Sequence, residues 1–391
     1  LVTLWLVQTY GSINYVRMVS PDVVWHQDFL TFYRSAVALL RGQSIYATGD
    51  ATLNLNPPFM TVLFAPFGVF DPMKSWRILS VATVVVLLAS LALVARELRF
   101  SPWLTGLAAA LMLVSTPLMG TIGLGQIYAG LTLGLTLAWV AARRGSLVWA
   151  GVFLGLVIAV KPTLIPLLLL PIAQRHRSML FSAIATGTVA SLIGLIAAGP
   201  TATWDWLKLM RTVQVTDYYE NASLPGFVMR LGGPVWLGFV LGGVILVITF
   251  LRIRRNSDLA LWALTAATLL LSPVSWENYL LLCYPGVVVL LSQRRYSTSA
   301  LLLVVPTITL EWVRLWMGHS PTVAHLGWSL FCYVQVIWWA GLLPTSVARN
   351  QAKDQADEPQ PADEPGETKV VQPNQSSTVS VVSPFIGLRL G

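Results

Sequence analysis

Residues 78–95 read ILSVATVVVLLASLALVA and residues 235–251 read VWLGFVLGGVILVITFL. Neither stretch carries a charge, and each is near the length a helix needs to cross the ~30 Å hydrocarbon core of a bilayer. The remaining sequence agrees with them. Of 391 residues, 55% are hydrophobic and 11% are charged, against about 25% charged in soluble proteins. Mean hydropathy is +0.68. A water-soluble enzyme, a zinc-finger module and a nucleic-acid binder are excluded, and the expected fold is an all-α polytopic membrane protein.

Apolar runs near 1–16, 78–95, 102–119, 128–142, 147–160, 163–174, 179–198, 235–251, 258–272, 279–292, 299–316 and 326–343 lay out about 12 transmembrane helices. The net charge of +8 comes in small clusters between these runs: Arg96/Arg99, Arg143/Arg144, Arg175/Arg177, Arg252/Arg254/Arg255 and Arg294/Arg295. All five fall on one side if 147–174 is a hairpin, and the positive-inside rule makes that side cytoplasmic. The outer face then holds 17–77, 120–127, 199–234, 273–278 and 317–325. The stretch 57–70 (PPFMTVLFAPFGVF) is too short to span and reads as a re-entrant or tilted helix. Lys161-Pro162, a cation and a helix breaker at the apex of the hairpin, points to a cavity below the outer surface.

Residues 1–343 form the membrane-embedded domain, whose first outer loop is 17–77, and 344–391 read as a disordered cytoplasmic tail rich in Pro, Gln, Ser and acids. Cys283 and Cys332 both sit in apolar runs, which removes any disulfide framework. The chain opens on Leu1 with no basic flank before its first apolar stretch, which reads as an incomplete or alternatively initiated N-terminus.

Outside the tail the acids are Asp22, Asp28, Asp50, Asp71, Glu97, Asp205, Asp217, Glu220, Asp258, Glu277 and Glu311. Only Glu97 and Asp258 map to cytoplasmic turns, so acid chemistry belongs to the outer face. The densest constellation is DVVWHQDFLTFYRSAVALLRGQSIY from residue 22, followed by NLNPPF. Phe29, Phe32/Tyr33, Val37 and Leu40 recur at helical spacing, so 29–41 reads as an amphipathic interfacial helix with Asp28 at its N-terminal edge. On the residues alone Asp28 is an ordinary N-cap, and His26 and Tyr33 are interfacial packing.

The pattern formed by Asp28-Phe29, Phe32-Tyr33, Ala36, Leu39, Gly42, Ile45-Tyr46 and Asn56-Pro57-Pro58 resembles glycosyltransferase family 87. Gly125-Gln126, the stretch GVFLGLVIAVKPTLIPLLLLP around Lys161, Asn221-x-Ser223-Leu224 with Arg230 downstream, and Ser272-Pro273-x-Ser275-Trp276 are similar to its later landmarks, in order, across roughly 20–295. Members often carry a histidine shortly after the last element, where this chain reads Trp276-Glu277-Asn278-Tyr279. The resemblance implies a GT-C-type transferase taking a sugar, mannose for the known mannosyltransferases, from a polyprenyl-phosphate donor with inversion.

On that resemblance Asp28 is the base that deprotonates the acceptor hydroxyl. A leaving phosphate calls for a cation rather than an acid; Lys161 is the first candidate, with Arg34, Arg41, Arg211 and Arg230 as alternatives. Sugar or acceptor contacts fall to His26, Tyr33, Tyr46, Asn56, Gln126, Asn221, Ser223, Trp276, Glu277 and Asn278. Each has a plainer role available: snorkelling for Lys161, an aromatic belt for Trp276, a satisfied turn for Gln126, and loop or interfacial duty for the arginines. Glu311 and Arg314, at i,i+3, read as a structural ion pair. No cofactor or metal motif is visible, although an outer-face divalent ion shared between a carboxylate and phosphate is compatible with these residues.

The expected protein is therefore a multi-pass plasma-membrane hexosyltransferase acting at the extracytoplasmic side on a glycolipid or glycan. A transporter or flippase for a lipid-linked sugar would also use broken helices and a midplane cation, but the one-sided distribution of acids and loops argues against it. A catalytically inactive, lipid-binding relative is the third reading.

Overall fold

A computed structural model describes residues 27–49, 52–254, 257–308 and 310–344. Among these no β-strand occurs beyond an isolated antiparallel bridge between Asn221 and Trp276. The helices are α1 (Gln27–Leu40), α2 (Pro58–Phe64), α3 (Pro72–Glu97), α4 (Pro102–Leu113), α5 (Thr116–Leu124), α6 (Tyr128–Arg143), α7 (Leu147–Val160) and α8 (Leu169–Ala173). They continue as α9 (Arg177–Thr212), α10 (Leu224–Arg230), α11 (Val235–Ile253), α12 (Ala260–Leu271), α13 (Tyr284–Ser292), α14 (Tyr296–Val304), α15 (Pro321–Trp328) and α16 (Leu330–Leu342). Short 3-10 segments follow α2, precede α8 and precede α13.

Proline begins many of these helices, where its missing N–H is no loss and its fixed φ suits the first turn; Pro58, Pro72, Pro102 and Pro321 do so. Asp71 adds a side-chain cap to α3 by accepting from the Lys74 N–H at 2.9 Å. Outward-facing residues are as apolar as the core: Trp103 is 87% and Ile196 82% exposed. Such a surface is stable facing lipid and not water.

Among the described residues α3, α9 and α11 are long and apolar enough to cross a membrane, and the bent pairs α4–α5 (56°) and α15–α16 (43°) raise that to five if each is one span. The twelve-span layout is not established by this count. The first run, 1–16, lies outside the described residues, and several later runs form apolar helices of 10–17 residues. Prolines explain part of the shortfall. The run 102–119 breaks at Val114–Ser115, with Ser115 extended ahead of Pro117, and 163–174 starts as a 3-10 segment containing Pro166. The segment 57–70 is α2 followed by a 3-10 turn, short as expected.

The outer loop expected over 199–234 is much shorter. Gly199 takes φ 85°, ψ 162°, and the helix resumes at Pro200 and runs to Thr212, leaving 213–223 as the connection. α7 and α9 pack along each other through glycine. A Cβ on Gly151 would lie 2.2 Å from the Met179 carbonyl oxygen, and one on Gly155 2.3 Å from that of Ala183, so the backbones touch.

Three of the basic turns meet. Glu97 accepts from Arg144 at 2.7 and 2.9 Å, and Arg143 pairs with Asp258, whose carbonyl also accepts from Trp139 Nε1 at 2.9 Å. These turns close the C-terminal end of α6 and the approach to α12. The opposite ends of α6 and α12 lead to Tyr128 and to the 272–278 turn. The 16 residues of α6 separate the two ends by about 24 Å at the α-helical rise.

Candidate active site

Asp28 stands in the first turn of α1, and its position is fixed by the end of α5. Gly125 closes α5 in the left-handed conformation at φ 66°, with its N–H bonded to Ile122 O and the Gln126 N–H to Thr121 O. A Cβ at Gly125 would come 2.6 Å from Phe29 Cβ, so glycine is required both by the turn and by the approach of α1. Gln126 leaves this turn with its side chain aimed at α1, and Nε2 donates to Asp28 Oδ2 at 2.9 Å.

Two tyrosines and a lysine cluster at the start of α6. The rings of Tyr128, the first residue of α6, and Tyr279 lie 4.4 Å apart. Lys161 ends α7 at the break before Pro162; its Nζ donates to the Tyr279 hydroxyl at 3.0 Å and lies 4.8 and 5.5 Å from the Tyr279 and Tyr128 ring centroids. No described carboxylate is its ion-pair partner. Asp28 and Glu277 are both within electrostatic reach of the Tyr128 hydroxyl.

Glu277 is 3% exposed and Asn278 fully buried; they open the 3-10 segment Glu277–Cys283 that leads into α13 and close the 272–278 stretch. Burial, then the nearby charge of Glu220, pushes the Glu277 carboxyl up to about 8, against a small opposing bond from its own backbone. Glu220, in the 213–223 connection, is held above the usual carboxylate range by burial and by Asp28, with a Tyr219 hydrogen bond opposing. Asp28, Glu220 and Glu277 thus form a chain of interacting acids. Helix α5 comes against it through Gly120, where a Cβ would fall 2.7 Å from Glu277 Oε1 and 3.4 Å from Asn278 Cβ.

The 272–278 turn is knitted to the 213–223 connection. The Ala222 N–H donates to the Ser275 carbonyl at 2.7 Å, and Asn221 Oδ1 accepts from the N–H groups of Ser223 (3.2 Å) and Ser275 (3.0 Å). Ser223 Oγ caps α10 by accepting from Gly226 N at 3.1 Å. Arg230 is 2% exposed and donates to Ser329 Oγ (2.9 Å), Asp217 O (3.1 Å), Tyr218 O and Asn221 O (2.9 Å). Its guanidinium is a clamp on loop carbonyls.

The structure therefore brings Asp28, Gln126, Lys161, Glu277 and Asn278 together and places the other sequence candidates around them. Trp276 meets Tyr218 edge to face at 6.2 Å. Tyr33 donates to Phe70 O (2.8 Å), Tyr46 to Asn56 O (2.7 Å), and Asn56 Nδ2 to Asn54 Oδ1 (3.3 Å), all within the first loop and its helices. Arg34 and Arg41 are exposed on and just after α1, and Arg211 is exposed at the end of α9 with its guanidinium 6.0 Å from the Trp204 ring. His26, Asp50 and the Glu311 side chain lie outside the described residues. Glu220, Tyr128 and Tyr279 join the site without having been singled out; their adjacency to Asn221, Gln126 and Asn278 in sequence was the available signal. Among the described residues no group of three His, Cys, Asp or Glu side chains is arranged to hold a metal.

The helical bundle thus holds a group of interacting acids near a lysine that has no carboxylate partner among the described residues. The model of glycosyltransferase family 87 matches residues 54–273, and the chain belongs to that family. Among curated relatives, an alpha-(1->3)-arabinofuranosyltransferase of Mycobacterium tuberculosis is 27% identical over 329 residues, covering 79% of this chain and 72% of that protein. A polyprenol-phosphate-mannose-dependent alpha-(1-2)-phosphatidylinositol mannoside mannosyltransferase of the same organism is 28% identical over 357 residues, covering 80% and 82%. Of solved structures, ArnT from Cupriavidus metallidurans bound to undecaprenyl phosphate aligns over 92% of this chain and 82% of that one at 15% identity and a TM-score of 0.37, a distant likeness.

Proposed function

We propose that the chain moves a glycosyl group from a polyprenyl-phosphate donor to a hydroxyl of a glycolipid or glycan, at the extracytoplasmic face of the plasma membrane, by single inverting displacement. The observation that carries this is the Gln126–Asp28 hydrogen bond in a pocket that also borders Lys161 and Tyr128, in a member of a glycosyltransferase family. Asp28 takes the proton of the acceptor hydroxyl as its oxygen bonds to the anomeric carbon. The bond from that carbon to the phosphate oxygen breaks through an oxocarbenium-like state, and Lys161 stabilises the departing phosphate. Gln126, by donating to one carboxylate oxygen, leaves the other to face the acceptor. The side assignment rests on the arginine turns being cytoplasmic, which puts the pocket at the far end of α6.

Mannose is the sugar the motif pattern favours; arabinofuranose is the second reading, supported by the arabinofuranosyltransferases among the relatives. The test is transfer of radiolabel from polyprenyl-phosphate mannose and polyprenyl-phosphate arabinofuranose to a membrane lipid extract, with wild type beside Asp28→Asn. A labelled product made by wild type and lost in folded Asp28→Asn supports the assignment. Product retained by the variant moves the base to Glu277 or Asp50, and no product from any lipid-linked sugar favours a transporter or a lipid-binding scaffold.

A further inference from the structure

Four atoms in one tetrapeptide are buried without a hydrogen-bond partner: Ser275 Oγ, Glu277 Oε2, Asn278 Oδ1 and Asn278 Nδ2. Buried polar atoms are almost always paired, and an unpaired one is destabilising. Three side chains of four consecutive residues sharing this condition is therefore a property of the turn. The turn is not loosely built, because Asn221 and Ala222 bond the backbone of Ser275 and Gly120 packs against Glu277 and Asn278. It is held rigid with its polar groups unmet, the condition of a site awaiting a ligand.

The chemistry of that ligand follows from the atoms. Asn278 presents one donor and one acceptor, and Ser275 Oγ can act as either. Glu277 and its neighbours Glu220 and Asp28 disfavour an anion, so the sugar-linked phosphate belongs nearer Lys161. Groups that both donate and accept, and carry no charge, are hydroxyls. We propose that Ser275, Glu277 and Asn278 form a carbohydrate-hydroxyl subsite in which Glu277 bonds a hydroxyl through Oε2 and Asn278 reads hydroxyl geometry. This deepens the transferase assignment above and rests on it.

A hydroxyl both donates and accepts, so it can bond Glu277 Oε2 whether the carboxyl is neutral or ionised. Burial and Glu220 push the Glu277 carboxyl up to about 8, and the other charged and titratable groups of the site, Asp28, Tyr128, Tyr279 and Lys161, gather about Tyr128.

The experiment uses the full chain in lipid nanodiscs, with Asp28→Asn to stop turnover. Affinity is measured for the sugar-bearing polyprenyl phosphate that wild type turns over and for polyprenyl phosphate alone. Asn278→Leu and Glu277→Leu should each weaken the sugar-bearing lipid about tenfold or more, since a site built to bond hydroxyls loses most when its own partner is removed, and should leave bare polyprenyl phosphate within about twofold. Glu277→Gln, which keeps polar atoms in the same place, should lose less than Glu277→Leu. Retained affinity for the bare lipid verifies the fold of each variant. If sugar-lipid affinity holds while acceptor KM rises in the Asp28-containing background, the hydroxyls bound are the acceptor's, and the subsite stands. Equal weakening of both lipids, or no change in any affinity or KM, overturns it, leaving packing or trapped water as the occupant's role. A wild type that transfers no sugar defeats the transferase assignment instead.

Discussion

The bridge between Asn221 and Trp276 joins two buried polar stretches built on opposite terms. On the 216–230 side the polar groups are consumed by the protein itself. Asn221 uses both ends of its amide, Ser223 caps a helix, and Arg230 gathers three backbone carbonyls and a serine hydroxyl. On the 275–278 side, Ser275 Oγ, Glu277 Oε2 and both Asn278 amide atoms are equally hidden from solvent and have no partner. Burial alone cannot tell structure from function here, and satisfaction can. The first stretch is a brace whose energy is internal; the second is completed from outside.

The largest expected effect breaks the pocket without touching the brace. Asp28→Asn keeps the shape of the side chain but cannot take a proton, and transfer should drop by about 10²–10⁴, the usual worth of a general base. Thermal unfolding in detergent should be nearly unchanged. A variant that unfolds earlier would reclassify Asp28 as a helix cap.

Next comes the brace. Arg230→Leu removes four hydrogen bonds and strands the Asp217, Tyr218 and Asn221 carbonyls. Hydrogen bonds to a charged donor contribute about 1.5–3 kcal/mol each, and relaxation of the loop recovers part of this, so a net loss of about 3 kcal/mol or more is expected. It should appear as a lower unfolding midpoint and as proteolysis in the 213–223 connection. If instead the protein is as stable as wild type and only donor binding weakens, Arg230 touches the phosphate and the clamp is incidental.

The paired substitutions Asn221→Leu and Asn278→Leu put the contrast on one scale. The first deletes satisfied bonds and should cost about 2 kcal/mol of stability. The second replaces an unsatisfied amide with an apolar group of similar size, which is neutral or stabilising in the empty protein. Unfolding midpoints of the two variants without substrate check this directly; a destabilised Asn278→Leu would mean that the amide already has a partner.

The parts of this arrangement differ in how far the sequence reveals them. Asp28 and Gln126 are 98 residues apart in sequence, yet ordered motifs mark both, and the Gly125 turn that brings them together is visible in the motif itself. Lys161 is conspicuous because a charge beside a proline inside an apolar run has few innocent explanations. Glu220 is not conspicuous: one more acid in a polar loop acquires meaning only when the 213–223 connection folds over the 272–278 turn. The span count is the least legible feature. Hydropathy registers apolar side chains but not backbone hydrogen bonding, so Pro117, Pro166 and the Gly199-Pro200 break divide or redirect apolar runs at points a window average passes over.

The smallest effect is expected at the opposite end of α6, where polar groups are paired but half in water. Arg143 and Asp258 are 33% and 31% exposed as side chains, and exposed pairs contribute about 0–1 kcal/mol because solvent and salt screen them. Asp258→Asn also preserves the carbonyl that Trp139 Nε1 reaches, since that acceptor is backbone. Stability should therefore change by less than about 1 kcal/mol, and transfer not at all, because no titrating group of the pocket lies within screening distance along the ~24 Å of α6. Initial rates measured at low and high salt are the sensitive check. A rate change in Asp258→Asn that vanishes with salt would mean that charge at the arginine turns reaches the pocket, and the separation of a functional end from a merely anchoring end would have to be abandoned.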